Sequence, residues 1–233
     1  MKRLAIFVEG QTEQIFVRKL LEEIAGEKNI KIVDKSLRGR QKFRILTLLK
    51  DEPQSFETKF YVLLYDSGSD SSVVSDIREQ HSSLTKEGYE KIIGLRDLYP
   101  KLITEQETFE KGLKHSLPKN GIPTYIVLAV MEVEAWFLSE WNHFAKIDAS
   151  LTVDRIHREL GFHPENEDME KRSHPSEDLD NIYQLVGQFY QKNKNQVNTI
   201  VSNLDFEFLY LNLLTKVLSL KQFVGQIDSF LST

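Results

Sequence analysis

Cysteine is absent from the 233-residue sequence. Its absence excludes disulfides, thiolate zinc sites and cysteine nucleophiles, and is typical of a protein that works in a reducing compartment. No apolar run approaches the roughly 20 residues that a membrane-spanning helix needs. The chain enters a strand-like segment at once, without the pattern of a signal peptide. We therefore expect a cytoplasmic protein with no membrane partner.

Two other features are missing. The sequence contains no phosphate-binding loop of the form G-x-x-x-x-G-K-[S/T], so an ATP-dependent activity would need a separate ATPase partner. The six histidines are scattered, without the spacing of a metal site. The net charge of −5 provides no general attraction to nucleic acid, so a polyanion would have to bind at a local basic patch.

What the sequence does contain is a series of apolar runs of strand length, each followed by an acidic residue. The runs cover residues 4–8, 60–65, 90–95 and 123–130, and the acids that follow them are Glu9, Asp66, Asp97 and Glu134. Helical patterns separate the runs, which predicts an α/β fold with a mainly parallel, Rossmann-like sheet flanked by helices. Because ligands bind outside the carboxyl ends of such strands, we expect the acids to share one edge.

A cluster of acids at a sheet edge needs a cation, and hard cations prefer oxygen ligands. Three further acids lie close to the four strand ends in sequence: Glu13, Asp70 and Glu132. The sequence therefore predicts a Mg²⁺ or Mn²⁺ site for phosphoryl chemistry. The alternative is structural, with Glu13 complementing a helix dipole and the aspartates capping a turn or a helix.

Glu132 and Glu134 interrupt an apolar junction, where a carboxylate is costly unless it is paired, protonated or bound to metal. On extended chain the two side chains would share a face. On a helix they would diverge by about 200°, so that only one could point at the site, and we favour Glu134 as that residue.

A basic cluster follows a second predicted strand at residues 30–33. Its members are Arg38, Arg40, Lys42 and Arg44. On a loop, these residues are candidates for contacts with a nucleic-acid backbone, and a solvated basic loop is an equally good interpretation. Residues 45–50 are predicted to form a short helix.

The chain changes character after residue 141. We predict one α/β domain over residues 1–141 and a helical extension over residues 142–233 that packs on it. Residues 206–220 are apolar almost all round, which indicates burial against the sheet domain or against another subunit. A homo-oligomer is therefore a candidate assembly.

Residues 8–13, with the sequence VEGQTE, resemble the opening motif of Toprim (topoisomerase–primase) domains, especially the branch found in OLD-type nucleases. The stretch around Asp97 and residues 131–138 are similar to a bacterial family of unknown function near that branch. The resemblance covers roughly residues 1–140, and a weaker similarity is present in residues 174–176 and 190–192.

The resemblance implies a magnesium-dependent nuclease. It implies catalytic roles for Glu9 and Glu134, with Asp66 or Asp97 as the metal aspartate, and through the Tyr-x-Lys echo it implies a phosphate contact by Lys192. A solvated lysine is the alternative for that residue. Neither aspartate belongs to an Asp-x-Asp pair, because the residue two positions later is Gly68 or Tyr99.

The family context implies a role in defence against phage or mobile DNA. Two rival functions stay open. One is a non-catalytic Toprim-like subunit that binds nucleic acid or a partner protein, and the other is an α/β protein that binds a small phosphate. The sequence does not separate DNA from RNA, or endonuclease from exonuclease.

Overall fold

The computed structural model describes residues 1–27, 29–39, 43–51 and 53–232 of the chain. The strands are β1 (Lys2–Val8), β2 (Ile30–Arg38), β3 (Ile45–Asp51), β4 (Phe60–Asp66), β5 (Lys91–Asp97) and β6 (Thr124–Ala129). The helices are α1 (Gln11–Ala25), α2 (Ser72–Lys86), α3 (Gln106–Ser116), α4 (Glu134–Ser139), α5 (Asn142–Ile147), α6 (Val153–Leu160), α7 (Pro175–Gln184), α8 (Lys194–Asn203), α9 (Phe206–Leu211) and α10 (Leu218–Leu231). Short 3-10 turns cover Ile103–Glu105, Met169–Lys171 and Leu213–Thr215.

The strands form one sheet in the order β3-β2-β4-β1-β5-β6. Strand β1 pairs in parallel with β4 and β5, and β2 pairs in parallel with β4. Strands β5 and β6 also run in parallel. Ile92 N–H donates to the Pro123 carbonyl and Leu98 N–H donates to the Ala129 carbonyl, so residue numbers increase in the same direction on both strands. The predicted α/β fold, with a mainly parallel sheet flanked by helices and with helices at the C-terminal end, is confirmed.

The central strands are continuous apolar runs because both of their faces are covered. Residues Leu4 to Val8 of β1 are fully buried, and the rings of Phe7 and Tyr65 stack with their centroids 4.5 Å apart. Gly94 of β5 lies so close to its neighbours that a Cβ there would come within 2.6 Å of Ile126 Cδ1. Runs of this kind are typical of strands in parallel sheets, which is why the sequence located them.

The prediction of a helix at residues 45–50 is wrong. The segment is β3, which pairs antiparallel with β2 at the edge of the sheet. Its side chains are exposed on both faces, including the aliphatic residues Ile45, Leu46, Leu48 and Leu49. A short apolar run has no period long enough to separate a helix from a strand, and pairing with β2 decides the outcome.

The chain groups into two compact units. Unit 1 contains residues 1–96, 107–128 and 225–233, and unit 2 contains residues 97–106 and 129–224. The predicted domain boundary after residue 141 stays a prediction. Unit 2 has its own core, in which Trp136, Phe137, Phe144 and Phe162 are buried. The apolar stretch at residues 206–220 is divided among α9, a 3-10 turn and the start of α10.

Among the described residues, no helix has both the length and the apolar character needed to cross a membrane.

Candidate metal centre

Three buried carboxylates meet in unit 2. Asp97 is the last residue of β5, Glu132 lies just after β6, and Glu134 is the first residue of α4. Each contributes one oxygen to a set whose members all lie within 4.8 Å of one another. Asp97 and Glu132 are each 7% exposed and Glu134 is 0% exposed. Among the described residues, this is the one set of three or more acidic or histidine side chains that meets in this way.

Two hydrogen bonds hold the end of β5 and the residues after it against the segment after β6. Tyr99 N–H donates to the Met131 carbonyl at 2.8 Å, and Val133 N–H donates to Asp97 Oδ1 at 3.1 Å. Met131 has a φ of 61°, a left-handed conformation that is uncommon for a residue with a side chain. Such strain costs about 1–3 kcal/mol and persists at sites that the surrounding structure enforces. The turn at Met131 thus brings Glu132 to the end of β5.

Lys192 lies between the two glutamates. Its Nζ is 2.9 Å from Glu132 Oε1 and 3.1 Å from Glu134 Oε1. Lys192 also has a left-handed backbone, with a φ of 55°. The lysine therefore contacts the cluster, while 40% of its side chain stays exposed.

Neutral donors fix the orientation of both glutamates. Ser176, in the first turn of α7, donates its N–H to Glu132 Oε2 and its hydroxyl to Glu132 Oε1, both at 2.9 Å. The Tyr190 hydroxyl donates to Glu134 Oε1 at 2.7 Å. A carboxylate at a helix N-terminus is favoured by the helix dipole, so α7 contributes to holding Glu132 ionised.

The surroundings shift the pKa values of the two glutamates in opposite directions. Burial opposes ionisation of Glu132, but Lys192 and the two Ser176 donors outweigh it and lower the pKa of Glu132. Burial raises the pKa of Glu134, and the neighbouring Glu132 adds to the rise against the attraction of Lys192. Burial would lower the pKa of Lys192, but Glu134 and Glu132 raise it, so the lysine stays charged.

The cluster has the ligands that a hard cation needs. Glu134 Oε2 is buried and has no hydrogen-bond partner, which leaves one acceptor free for a cation. Three carboxylates suit Mg²⁺, Mn²⁺ or Ca²⁺, which all prefer oxygen. Ser176, Tyr190 and Lys192 also line a cavity of about 470 Å³. The triad of Asp97, Glu132 and Glu134 can therefore hold a metal ion beside a cavity large enough for a small ligand.

The other predicted metal ligands lie in unit 1, and arginines contact three of them. Glu9 lies 3.7 Å from Arg96, and Asp70 lies 3.4 Å from the same guanidinium. Asp66 accepts two hydrogen bonds from Arg38, the shorter at 2.5 Å, and one from Gly68 N–H at 2.9 Å.

Glu13 has a local structural partner. Its carboxylate accepts a hydrogen bond from Gly10 N–H at 2.9 Å, in the first turn of α1. A glutamate in this position satisfies a backbone donor that the helix itself leaves unpaired. Metal binding by Glu9, Glu13, Asp66 and Asp70 stays a prediction.

The predicted basic cluster is only partly within the described residues, because Arg40 and Lys42 lie outside them. Arg38 ends β2 and keeps 51% of its side chain exposed. Arg44 is 11% exposed and holds both carboxylate oxygens of Asp76, a partner that the sequence did not indicate. Contacts of these residues with a nucleic-acid backbone stay a prediction.

The structure brings together four of the residues that the sequence nominated: Asp97, Glu132, Glu134 and Lys192. The sequence favoured Glu134 alone as the residue of its pair that points at the site. In the structure, both Glu132 and Glu134 contribute to the cluster. Ser176 and Tyr190 were missed as site residues. Their signal was present in the short motifs around Ser176 and Lys192, which carry the weaker part of the Toprim resemblance.

These features define an α/β protein with a buried carboxylate cluster that can hold a cation. Residues 8–207 match the model of a family described as a domain of unknown function (DUF4276), and the chain belongs to this family. Among solved structures, the hypothetical protein PH0156 from Pyrococcus horikoshii OT3 is similar, with 15% sequence identity and a TM-score of 0.51 over 97% of this chain and 100% of that one. This likeness shows the fold alone. No curated protein matches the chain.

Proposed function

We propose that this chain is a Mg²⁺- or Mn²⁺-dependent phosphodiesterase that cleaves nucleic acid. The observation that carries the proposal is the triad of Asp97, Glu132 and Glu134, in which the Glu134 Oε2 atom is buried without a hydrogen-bond partner. Three buried carboxylates beside one lysine are costly in free energy unless a metal cation binds to them.

Asp97, Glu132 and Glu134 would hold the ion. A Mg²⁺ or Mn²⁺ ion bound there supplies a Lewis acid and lowers the pKa of water, as phosphodiester hydrolysis requires. The donor set consists of carboxylate oxygens alone, which suits these metals better than it suits a metal that prefers nitrogen or sulfur.

The protein's own residues have separable roles. Ser176 fixes Glu132 through two hydrogen bonds, and Tyr190 fixes Glu134 through one. Lys192 places a positive charge at the carboxylates and at the wall of the 470 Å³ cavity. In this position it is suited to bind and orient a phosphate group of a substrate, since an ammonium group is a strong phosphate partner.

The choice of nucleic acid as substrate is supported by the Toprim resemblance of residues 8–13, and the same resemblance supports a role in defence against phage or mobile DNA. A separate ATPase partner and a homo-oligomeric state belong to the same proposal.

A cleavage assay tests the enzymatic proposal. End-labelled single- and double-stranded DNA and RNA are incubated with the protein in Mn²⁺, in Mg²⁺ and in a chelator. We expect cleavage with either metal and none with the chelator. Separate labels at the two ends distinguish endonuclease from exonuclease products. Failure of every substrate to be cleaved in both metals would contradict the proposal.

One observation favours a second function, that of a non-catalytic binding or partner subunit. Lys192 already pairs with two of the three carboxylates, so an internal cation can replace a metal ion. Under this alternative the protein binds nucleic acid with a salt dependence that is the same in a divalent metal and in a chelator, and it cleaves nothing. A protein that binds a small phosphate would bind a mononucleotide and not the polymer.

A further inference from the structure

A second cavity lies in unit 1 and differs in chemistry from the one beside the triad. It has a volume of about 510 Å³ and is lined by α2 and by the chain at and after the end of α3. Its ionisable lining residues are all basic: Arg78, His81, His115 and Lys119. The other lining residues are Ser82, Ser116, Leu117 and Pro118, so none of the carboxylates in the described part of the chain lines the cavity.

The strong cations of this cavity have no acidic partner among the described residues. The ion pairs of this part of the chain go to other lysines of α3, with Lys111 Nζ 2.6 Å from Glu107 and Lys114 Nζ 2.6 Å from Glu110. The side chains of Arg78 and Lys119 form no ion pair or hydrogen bond with another described residue. In a chain with a net charge of −5, positive charge is thus concentrated at one concave surface without a counterion.

The wall of the cavity is held in place by the backbone. His81 Nε2 lies 3.3 Å from the Ile122 carbonyl, and since a carbonyl can only accept, Nε2 carries the hydrogen. Gly121 has a φ of 89°, and a Cβ at this residue would come within 2.9 Å of His81 Cε1. A glycine is required for this turn to close on the histidine ring, so the orientation of the ring is built into the fold.

We propose that this cavity is a binding site for a phosphate group. The guanidinium of Arg78 can donate two parallel hydrogen bonds to phosphate oxygens, and the ammonium of Lys119 adds a mobile point charge. The Ser82 hydroxyl provides a neutral donor at the same wall. The volume lies within the range of about 300–1,000 Å³ that is usual for sites that bind small molecules.

A phosphate group can reach the cavity from two sources, a free mononucleotide or the backbone of a nucleic acid. The second source rests on the proposed function. The first does not, and the site lies outside the triad, so loss of the phosphate site and loss of metal-dependent cleavage are separate results.

The experiment measures binding of three probes by calorimetry in the presence of a chelator: inorganic phosphate, AMP and a short single-stranded DNA. The test variant is Arg78→Ala/Lys119→Ala, which removes both strong cations. The control is Lys86→Ala/Lys111→Ala, which removes the same charge from exposed positions of α2 and α3 outside the cavity. Thermal melting confirms that each variant is folded, and Arg78→Gln replaces the test variant if it is not.

We expect the test variant to lose roughly tenfold or more in affinity, while the control stays close to the wild type. Loss of phosphate and AMP binding identifies a mononucleotide as the source. Loss confined to the DNA, with a salt slope reduced by about one for each lost contact, identifies a nucleic-acid backbone. Absence of binding of all three probes to the wild type, or equal losses in the test and control variants, would overturn the proposal.

Discussion

The carboxylates of the two units are neutralised in different ways. In unit 1, arginine side chains contact four buried or half-buried acids that lie at strand ends, in the loop before α2 and on α2: Glu9, Asp66, Asp70 and Asp76. In unit 2, an ammonium group takes this place, because Lys192 contacts two of the three buried acids, Glu132 and Glu134. A guanidinium presents a planar fork of donors that can contact both oxygens of one carboxylate, whereas an ammonium group carries its three donors on a single nitrogen.

This difference separates acidic residues that have a structural role from acidic residues that can bind a ligand. An acid that is paired with arginine has its charge balanced within the fold, as Asp66 does with Arg38. Glu134 instead keeps a buried oxygen without a partner, and its pKa is raised by burial. The acids at the strand ends of the two units look alike in the sequence, and their partners in the structure distinguish them.

The largest expected effect comes from Glu134→Gln, which removes a charge of the triad and keeps the shape of the side chain. Metal-dependent phosphodiester cleavage should fall by about a hundredfold or more, because the variant lacks a carboxylate that would hold the ion. The measurement is the initial rate of cleavage in Mn²⁺.

Glu170→Gln is the matched control for this variant. Glu170 is 8% exposed, and it accepts hydrogen bonds from the N–H groups of Leu218 and Ser219 rather than from a lysine. Its rate should stay within a fewfold of the wild type. An equal fall in both variants would mean that any buried charge, not the triad, sustains activity.

Lys192→Met should have the next largest effect, and the loss of stability should depend on metal. In a chelator, the variant loses the cation between Glu132 and Glu134, which should cost about 1–3 kcal/mol. This is less than for a fully buried pair, because 40% of the side chain is exposed. In Mn²⁺ the ion replaces the lost charge, so the gain in melting temperature should exceed that of the wild type. An equal gain in both proteins would show that lysine and metal do not compete for the same carboxylates.

Glu9→Gln should have a smaller effect. The Toprim resemblance predicts a metal ligand at Glu9, whereas Arg96 already offsets part of its charge from 3.7 Å. We expect the variant to reduce the Mn²⁺-dependent gain in melting temperature by less than Glu134→Gln does. A loss as large as that of Glu134→Gln would make Glu9 a full ligand and would end the contrast between the two units.

The smallest effect is a pH dependence of the free energy of unfolding in the metal-free protein. The lowered pKa of Glu132 gives stability that is present above its unfolded pKa of about 4.3 and is lost as pH falls through the folded pKa. The raised pKa of Glu134 gives stability that is present below about 4.3 and is lost as pH rises through the folded pKa. The slope of the free energy of unfolding against pH should therefore change in opposite directions in Glu132→Gln and Glu134→Gln relative to the wild type. Urea unfolding from pH 3 to pH 7 measures this slope. Parallel curves would contradict the assignment.

Sequence patterns predicted the sheet because its central strands are long, continuous and apolar, as at β1 and β4. The same logic failed at β3, whose apolar side chains face outward and whose strand conformation depends on pairing with β2. The acids at strand ends were visible in the sequence, but their partners were not. Arg38 and Arg96 are distant in the chain from Asp66 and Glu9, and no local pattern couples them.

The triad was predictable only in part. Its three acids follow strand ends, which is why the sequence nominated them. Their convergence depends on the left-handed turn at Met131 and on hydrogen bonds between the segments after β5 and β6. Lys192 contacts Glu132 from a position 60 residues later in the chain, so the sequence offered only a resemblance to suggest its role.

The most direct test of the central claim is calorimetric titration of the metal-free protein with Mn²⁺. The wild type and Glu170→Gln should bind the ion with the same affinity, and Glu134→Gln should bind it about tenfold or more weakly, because one of the three carboxylate ligands has lost its charge. Equal Mn²⁺ affinity in the wild type and Glu134→Gln, or no binding to the wild type, would contradict the assignment of Asp97, Glu132 and Glu134 as a metal centre.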